Sequence, residues 1–163
     1  MKMLYRYIIT ALIVFYGSTS VAQNTSNTKP DIYDPQANVR SLIMTGLTSA
    51  QGDNKHLLLM FGGNWCSWCH RLHELFGSNP QIAALLDSSY ILIMVDVGEK
   101  NGNPLNRDLV KKYRVGDFGY PALAVIGKNG TLLSAQSTGV LEKGTGHDPE
   151  RVLWYLRSQA PGE

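Results

Sequence analysis

His56-Leu57-Leu58-Leu59-Met60-Phe61-Gly62-Gly63-Asn64-Trp65-Cys66-Ser67-Trp68-Cys69-His70 is the stretch on which the reading of this chain turns. An apolar run from His56 to Phe61 leads into a glycine pair, and beyond it Trp68, Leu72, Leu75 and Phe76 recur with helical period. A buried strand therefore feeds a short turn, and a Cys-x-x-Cys pair sits where a helix begins. There the first sulfur lies beside backbone N–H groups that no helical carbonyl satisfies, and the helix dipole adds to their pull. Both effects favour a thiolate over a thiol. A thiolate attacks disulfides, and a second cysteine one turn on can resolve the mixed disulfide. Cys66 is the expected nucleophile and Cys69 the expected resolving thiol, kept protonated by burial until it is needed. The two would alternate between a dithiol and a redox-active disulfide.

These are the only 2 cysteines of 163 residues. A secreted domain stapled by disulfides scatters its cysteines along the chain, so a lone pair at minimal spacing argues for reversible redox chemistry. The N-terminus supplies a compartment. Lys2 and Arg6 precede an apolar run from Ile8 to Tyr16, and Ser20-Val21-Ala22 has the small-x-small form of a cleavage site. Residues 1–22 read as a secretory signal peptide cut before Gln23. The run is short of the roughly 20 residues that span a bilayer, which disfavours an uncleaved anchor. The 15 Lys and Arg against 13 Asp and Glu lose Lys2 and Arg6 with that segment, so the mature chain is formally neutral. Nothing in that balance points to nucleic acid or an anionic membrane surface. The expected location is the periplasm or another extracytoplasmic space.

Residues 23–33 begin polar and read as a flexible tether, with one domain from 34 to 160. Asp34-Pro35 is placed to start a helix carrying Val39, Leu42, Ile43 and Leu47. The active-site helix is expected from Cys66 to Phe76, and Asn79-Pro80 starts another with Ile82, Leu85 and Leu86. Tyr90 to Val97 is continuously apolar, the pattern of a central strand covered on both faces. A helix from Leu105 to Tyr113 follows. Strands Ala122–Ile126 and Thr131–Ser137 flank Lys128-Asn129-Gly130, which suits a primed hairpin turn. Asp148-Pro149 opens a last helix. Alternating β and α elements, then a hairpin and a helix, give an α/β sandwich on a mixed sheet.

Trp65-Cys66-Ser67-Trp68-Cys69 after a strand, Tyr120-Pro121 at the head of a later strand, the hairpin and the terminal helix together resemble the thioredoxin family. The likeness runs from roughly residue 35 to 159. It implies a thioredoxin-like fold, a central mixed β-sheet flanked by helices, and thiol–disulfide oxidoreductase activity without a cofactor. By the same resemblance, Trp65 lies beside the nucleophile and shapes a docking surface. Pro121 corresponds to a cis-proline facing the cysteines, and Tyr120 to the residue whose backbone pairs with an incoming peptide. Trp68 is expected to be the more exposed tryptophan and to meet substrates. One departure stands out. Thioredoxins carry a buried acid six residues ahead of the first cysteine, and here that position is Met60, leaving Glu74, Asp96, His70 or a water to accept the Cys69 proton.

Ser67 and His70 are expected to tune the thiolate, Ser67 through a hydrogen bond and His70 as a partly exposed imidazole. No residue between the cysteines carries a permanent charge, which favours a reductase or isomerase over a strong oxidase. The expected partners are disulfides and thiols of exported proteins, with a membrane thiol-transfer protein as electron donor. Cys66-Ser67-Trp68-Cys69-His70 also fits Cys-x-x-Cys-His, so the alternative is a haem-binding or copper- or zinc-delivery module using Cys66, Cys69 and His70. His73, one turn on, reads as a solvated helix residue.

Overall fold

The computed structural model describes residues 29–100, 102 and 104–162. The signal peptide and residues 23–28 of the tether lie outside them. Strand β1 (His56–Gly62) is the spine, because Leu57 to Phe61 have no solvent exposure on either face. Burying one such side chain contributes about 1.5–3 kcal/mol, so this run secures the register of its neighbours. Strand β2 (Tyr90–Asp96) lies parallel to it, with Met60 opposite Met94 and Gly62 opposite Asp96. Strand β3 (Ala122–Ile126) lies antiparallel on the other side, and β4 (Leu132–Ser137) pairs with β3. The sheet order is β2-β1-β3-β4.

Alternation along β1 divides the core. Leu58 and Met60 face a cluster with Tyr33, Cys69, Leu72, Phe76, Ile82 and Leu156, fed by helices α2 (Ser67–Ser78), α3 (Pro80–Ser89) and α5 (Pro149–Gln159). Leu57, Leu59 and Phe61 face Val39, Ile43, Leu109 and Tyr113, from helix α1 (Val39–Asp53) and the short α4 (Arg107–Lys112) with its flank. This is the thioredoxin-like fold, a mixed central sheet flanked by helices on both faces.

Several expectations are corrected. β2 is an edge strand; its apolar run reflects cover from α1 on one face and α3 on the other, and periodicity does not separate a covered edge from a centre. Helix α1 starts at Val39, because Asp34 Oδ1 accepts from Gln36 N (2.8 Å) in a turn of its own and Asn38 is the N-cap, accepting from Ser41 N. Leu42 is exposed on that helix. Helix α4 is shorter than expected, since Asn106 ahead of it has φ 49°, outside the helical region. In the β3–β4 hairpin only Gly130 has positive φ (84°), and Gly130 N donates to Gly127 O at 2.7 Å. A type I turn closed by a left-handed glycine thus replaces the primed turn, and the register shifts between Val125 and Ile126. After β4 come a 3-10 turn (Thr138–Leu141) and a small hairpin, β5 (Glu142–Lys143) and β6 (Gly146–His147), that the sequence did not announce.

Candidate active site

Cys66 is the N-cap of α2, and its Sγ accepts from Cys69 N at 3.2 Å. The sulfur thus occupies the anion-favouring end of the helix, with no acidic side chain in the first turn to oppose it. Cys66 and Cys69 are joined as a disulfide, their Cα atoms 5.2 Å apart. Cys66 is 5% exposed and Cys69 fully buried, so any approach from solvent meets Cys66 first. Ser67 is exposed beside it and makes no side-chain hydrogen bond among the described residues.

The flanking tryptophans exchange the places expected of them. Trp65 is the exposed one, at 40%. Its indole Nε1 donates to Gly98 O (2.7 Å), and its ring meets Tyr120 edge-on at 6.2 Å. Gly63 makes that bond possible, because a Cβ there would stand 2.6 Å from the indole nitrogen. Trp68 is half-buried, with the Arg71 guanidinium 4.9 Å from its ring centre and His147 edge-on at 5.5 Å. His147 comes from β6, so the unannounced small hairpin is what covers this tryptophan. The Tyr120–Pro121 bond is cis, as the resemblance implied, and Thr138 Oγ1 donates to Pro121 O at 2.6 Å. Tyr120 borders a groove of about 530 Å³ that also carries Arg107, Lys111 and Arg114 against the single acid Asp117.

His70 is buried rather than partly exposed, and its Nε2 lies 2.9 Å from Asn64 O. An imidazole held this way does not turn Nε2 to a metal or haem iron in this arrangement, and both sulfurs are consumed in the disulfide. Among the described residues no three His, Cys, Asp or Glu side chains converge as a metal site. His73 and Glu74 are exposed on α2.

Asn64 was not singled out by its sequence. Its Oδ1 accepts from Ile32 N and Tyr33 N, both at 2.9 Å, and its Nδ2 donates to Tyr33 O at 2.9 Å. One amide thereby fastens the last residues of the supposed tether to the redox loop, and Tyr33 is 2% exposed. The ordered body begins earlier than residue 34. The Tyr33 hydroxyl reaches the floor of the site: a Cβ on Gly62 would meet it at 2.5 Å and would collide with Cys69 Sγ. The paired glycines before the motif were the signal for this convergence, since strand glycines mark close approach. Asp96, opposite Gly62 in the sheet, is 5% exposed and lines a cleft of about 360 Å³ with Trp65 and Asn64. Burial pushes its carboxyl above the usual range, opposed by a hydrogen bond from Gly98 N and reinforced by Asp34 and Asp31.

Residues 45–145 match the family model described as a thioredoxin-like domain, and the chain belongs to that family. Over 78% of its length it superimposes on 95% of a disulphide isomerase from Xylella fastidiosa Temecula1, with a TM-score of 0.66 and 25% identity. The C-terminal domain of Neisseria meningitidis DsbD in its oxidised form shares the fold (TM-score 0.51, 20% identity, 74% of this chain and 96% of that one). Spermatogenesis-associated protein 20 of Mus musculus is 37% identical over 51 residues, 31% of this chain. The chain spans only 6% of the length of that curated relative. Fold, family and a bonded Cys-x-x-Cys pair at a helix start define a thiol–disulfide oxidoreductase.

Proposed function

We propose that this oxidoreductase works outside the cytoplasm, reducing or isomerising disulfides of exported proteins, with Cys66 as nucleophile and Cys69 as resolving thiol. The observation that carries the reading is Cys66 Sγ as N-cap of α2, stabilised by one backbone N–H and the helix dipole, with no cation between the cysteines. That is moderate thiolate stabilisation. A strong oxidant needs more, because its reduced form must be held far below the ordinary thiol range. The signal-like residues 1–22 and the likeness to the Xylella fastidiosa disulphide isomerase support the compartment and the chemistry.

Clients dock on the rim formed by Trp65, Tyr120 and Pro121, in extended form against the backbone of Tyr120. Ser67 and His70 tune the site, Ser67 from the exposed side and His70 by bracing Asn64. The cations of the adjoining groove favour clients with acidic residues near their disulfide. A membrane thiol-transfer protein returns electrons to Cys66. Equilibration with glutathione buffers tests the direction: the couple is expected nearer the about −270 mV of thioredoxin than the about −120 mV of a strong oxidant. Insulin reduction should accompany it. A potential at the oxidising end, with no reduction of insulin, overturns the reductase reading.

A further inference from the structure

Tyr33 is a buried polar residue with no part in the exchange of Cys66 and Cys69, and Asp96 is a buried acid among the candidates for the Cys69 proton. The Tyr33 hydroxyl is enclosed and has no hydrogen-bond partner among the described residues. Such a group is costly unless another state of the protein satisfies it. Its position names that state. The hydroxyl and Cys69 Sγ crowd the same point above Gly62, which has no Cβ to hold them apart. While Cys69 is bonded to Cys66 its sulfur is a poor acceptor; once the bond opens, the same sulfur carries a thiolate or thiol beside the hydroxyl.

Asp96 completes the arrangement. Tyr90, Leu92 and Met94 of β2 pack with the cluster that contains Tyr33 and Cys69, and alternation puts Asp96 on that face too. A buried acid thus stands on the strand beside Met60, lining a cleft with Trp65 and Asn64.

We propose that Tyr33 donates a hydrogen bond to Cys69 Sγ whenever the disulfide is open, and that Asp96 accepts the proton Cys69 gives up. In resolution the Cys69 thiol loses its proton to the Asp96 carboxylate. Its sulfur then attacks Cys66 Sγ of the mixed disulfide, the Cys66–Cys69 bond forms, and the client leaves as a thiolate. Asp96 returns the proton through the cleft. Tyr33 is the donor throughout and never the base, because burial, with Asp96 nearby, pushes its hydroxyl well above the ordinary tyrosine range. Other titratable groups on this side are His70, held by Asn64 O, Tyr90 and Tyr155 in the same buried cluster, Tyr120 packed against it, and Asp31 and Asp34, which act on Asp96.

The inference rests on the exchange chemistry alone, not on the direction or compartment proposed above, and its test needs no natural client. In a Cys66→Ser background, Tyr33→Phe should raise the Cys69 thiol pKa by about one unit, roughly a tenfold loss of thiolate at neutral pH. With both cysteines present, Tyr33→Phe should slow resolution of a glutathione mixed disulfide to a similar degree and move the equilibrium with glutathione severalfold toward the disulfide. The melting temperature of the oxidised form should not fall, because the ring and its packing remain. Asp96→Asn should slow resolution and flatten its dependence on pH. A thiol pKa within about 0.3 unit of the parent, with resolution rate and equilibrium within twofold, would overturn the role of Tyr33. Should the Phe variant fail to fold, the Tyr33 ring-carbon NMR shift in the unmodified protein decides: a change on reduction supports the bond, and identical shifts in both states refute it.

Discussion

The two sulfurs of one motif lie in unlike surroundings. The groups that stabilise the Cys66 sulfur are local: the helix that starts there, the glycine turn before it and Trp65 come from one continuous stretch. The enclosure of Cys69 draws on remote parts of the chain: Tyr33 comes from ahead of α1, Tyr90 from β2, Ile82 from α3 and Leu156 from α5. A nucleophile needs a helix dipole, which neighbours in sequence provide. A resolving thiol needs enclosure, and only the tertiary fold encloses.

The sharpest way to break this contrast is to remove each sulfur in turn. Cys66→Ser should abolish disulfide reduction, and Cys69→Ser should accumulate mixed disulfides with clients on non-reducing gels. Equal trapping by both variants would erase the distinction. Next in size is pH. Burial, with the positive charge of Arg71, lowers the His147 pKa from 6.5 to about 4, so the folded state resists a proton that the unfolded chain accepts. Stability should therefore be complete above pH 6.5 and fall as pH drops toward 4, by at most about 3 kcal/mol. His147→Phe should remove that slope in urea titrations across the range, and an unchanged slope would assign it to other groups. Gly62→Ala comes third. Its Cβ has no room between Cys69 Sγ and Tyr33, so a loss of about 1–3 kcal/mol is expected by thermal unfolding, whereas Gly77→Ala, with open space around it, should be tolerated. The smallest effect belongs to the Cys66 side. Lys111→Glu should slow reduction of acidic-flanked peptide disulfides severalfold at low salt, and the difference should shrink as salt screens it.

The same contrast explains what the sequence disclosed. β1, the start of α2, Cys66, the β3–β4 hairpin and the Asp148-Pro149 start of α5 were legible because each is written in consecutive residues. Pro121 was legible through its place in the element order. β2 was misread as central because a covered edge and a true centre have the same apolar pattern. Trp68 and His70 were assigned more exposure than they have; His147, which packs on Trp68, carries no sign in sequence of where it folds. Tyr33 was lost inside a segment whose polar beginning set the reading of the whole.

The three hydrogen bonds of the Asn64 amide have a practical meaning for anyone cutting this chain. The family match begins at residue 45, and β1 to β4 all lie within 45–145, so a fragment trimmed to those limits keeps every strand of the main sheet and both cysteines. It would lack Ile32 and Tyr33, leave Asn64 with nothing to grip and open the floor beneath Cys69. The stretch that contains the sheet is thus shorter than the stretch that contains the redox centre, and an expression boundary drawn from homology would fall between them.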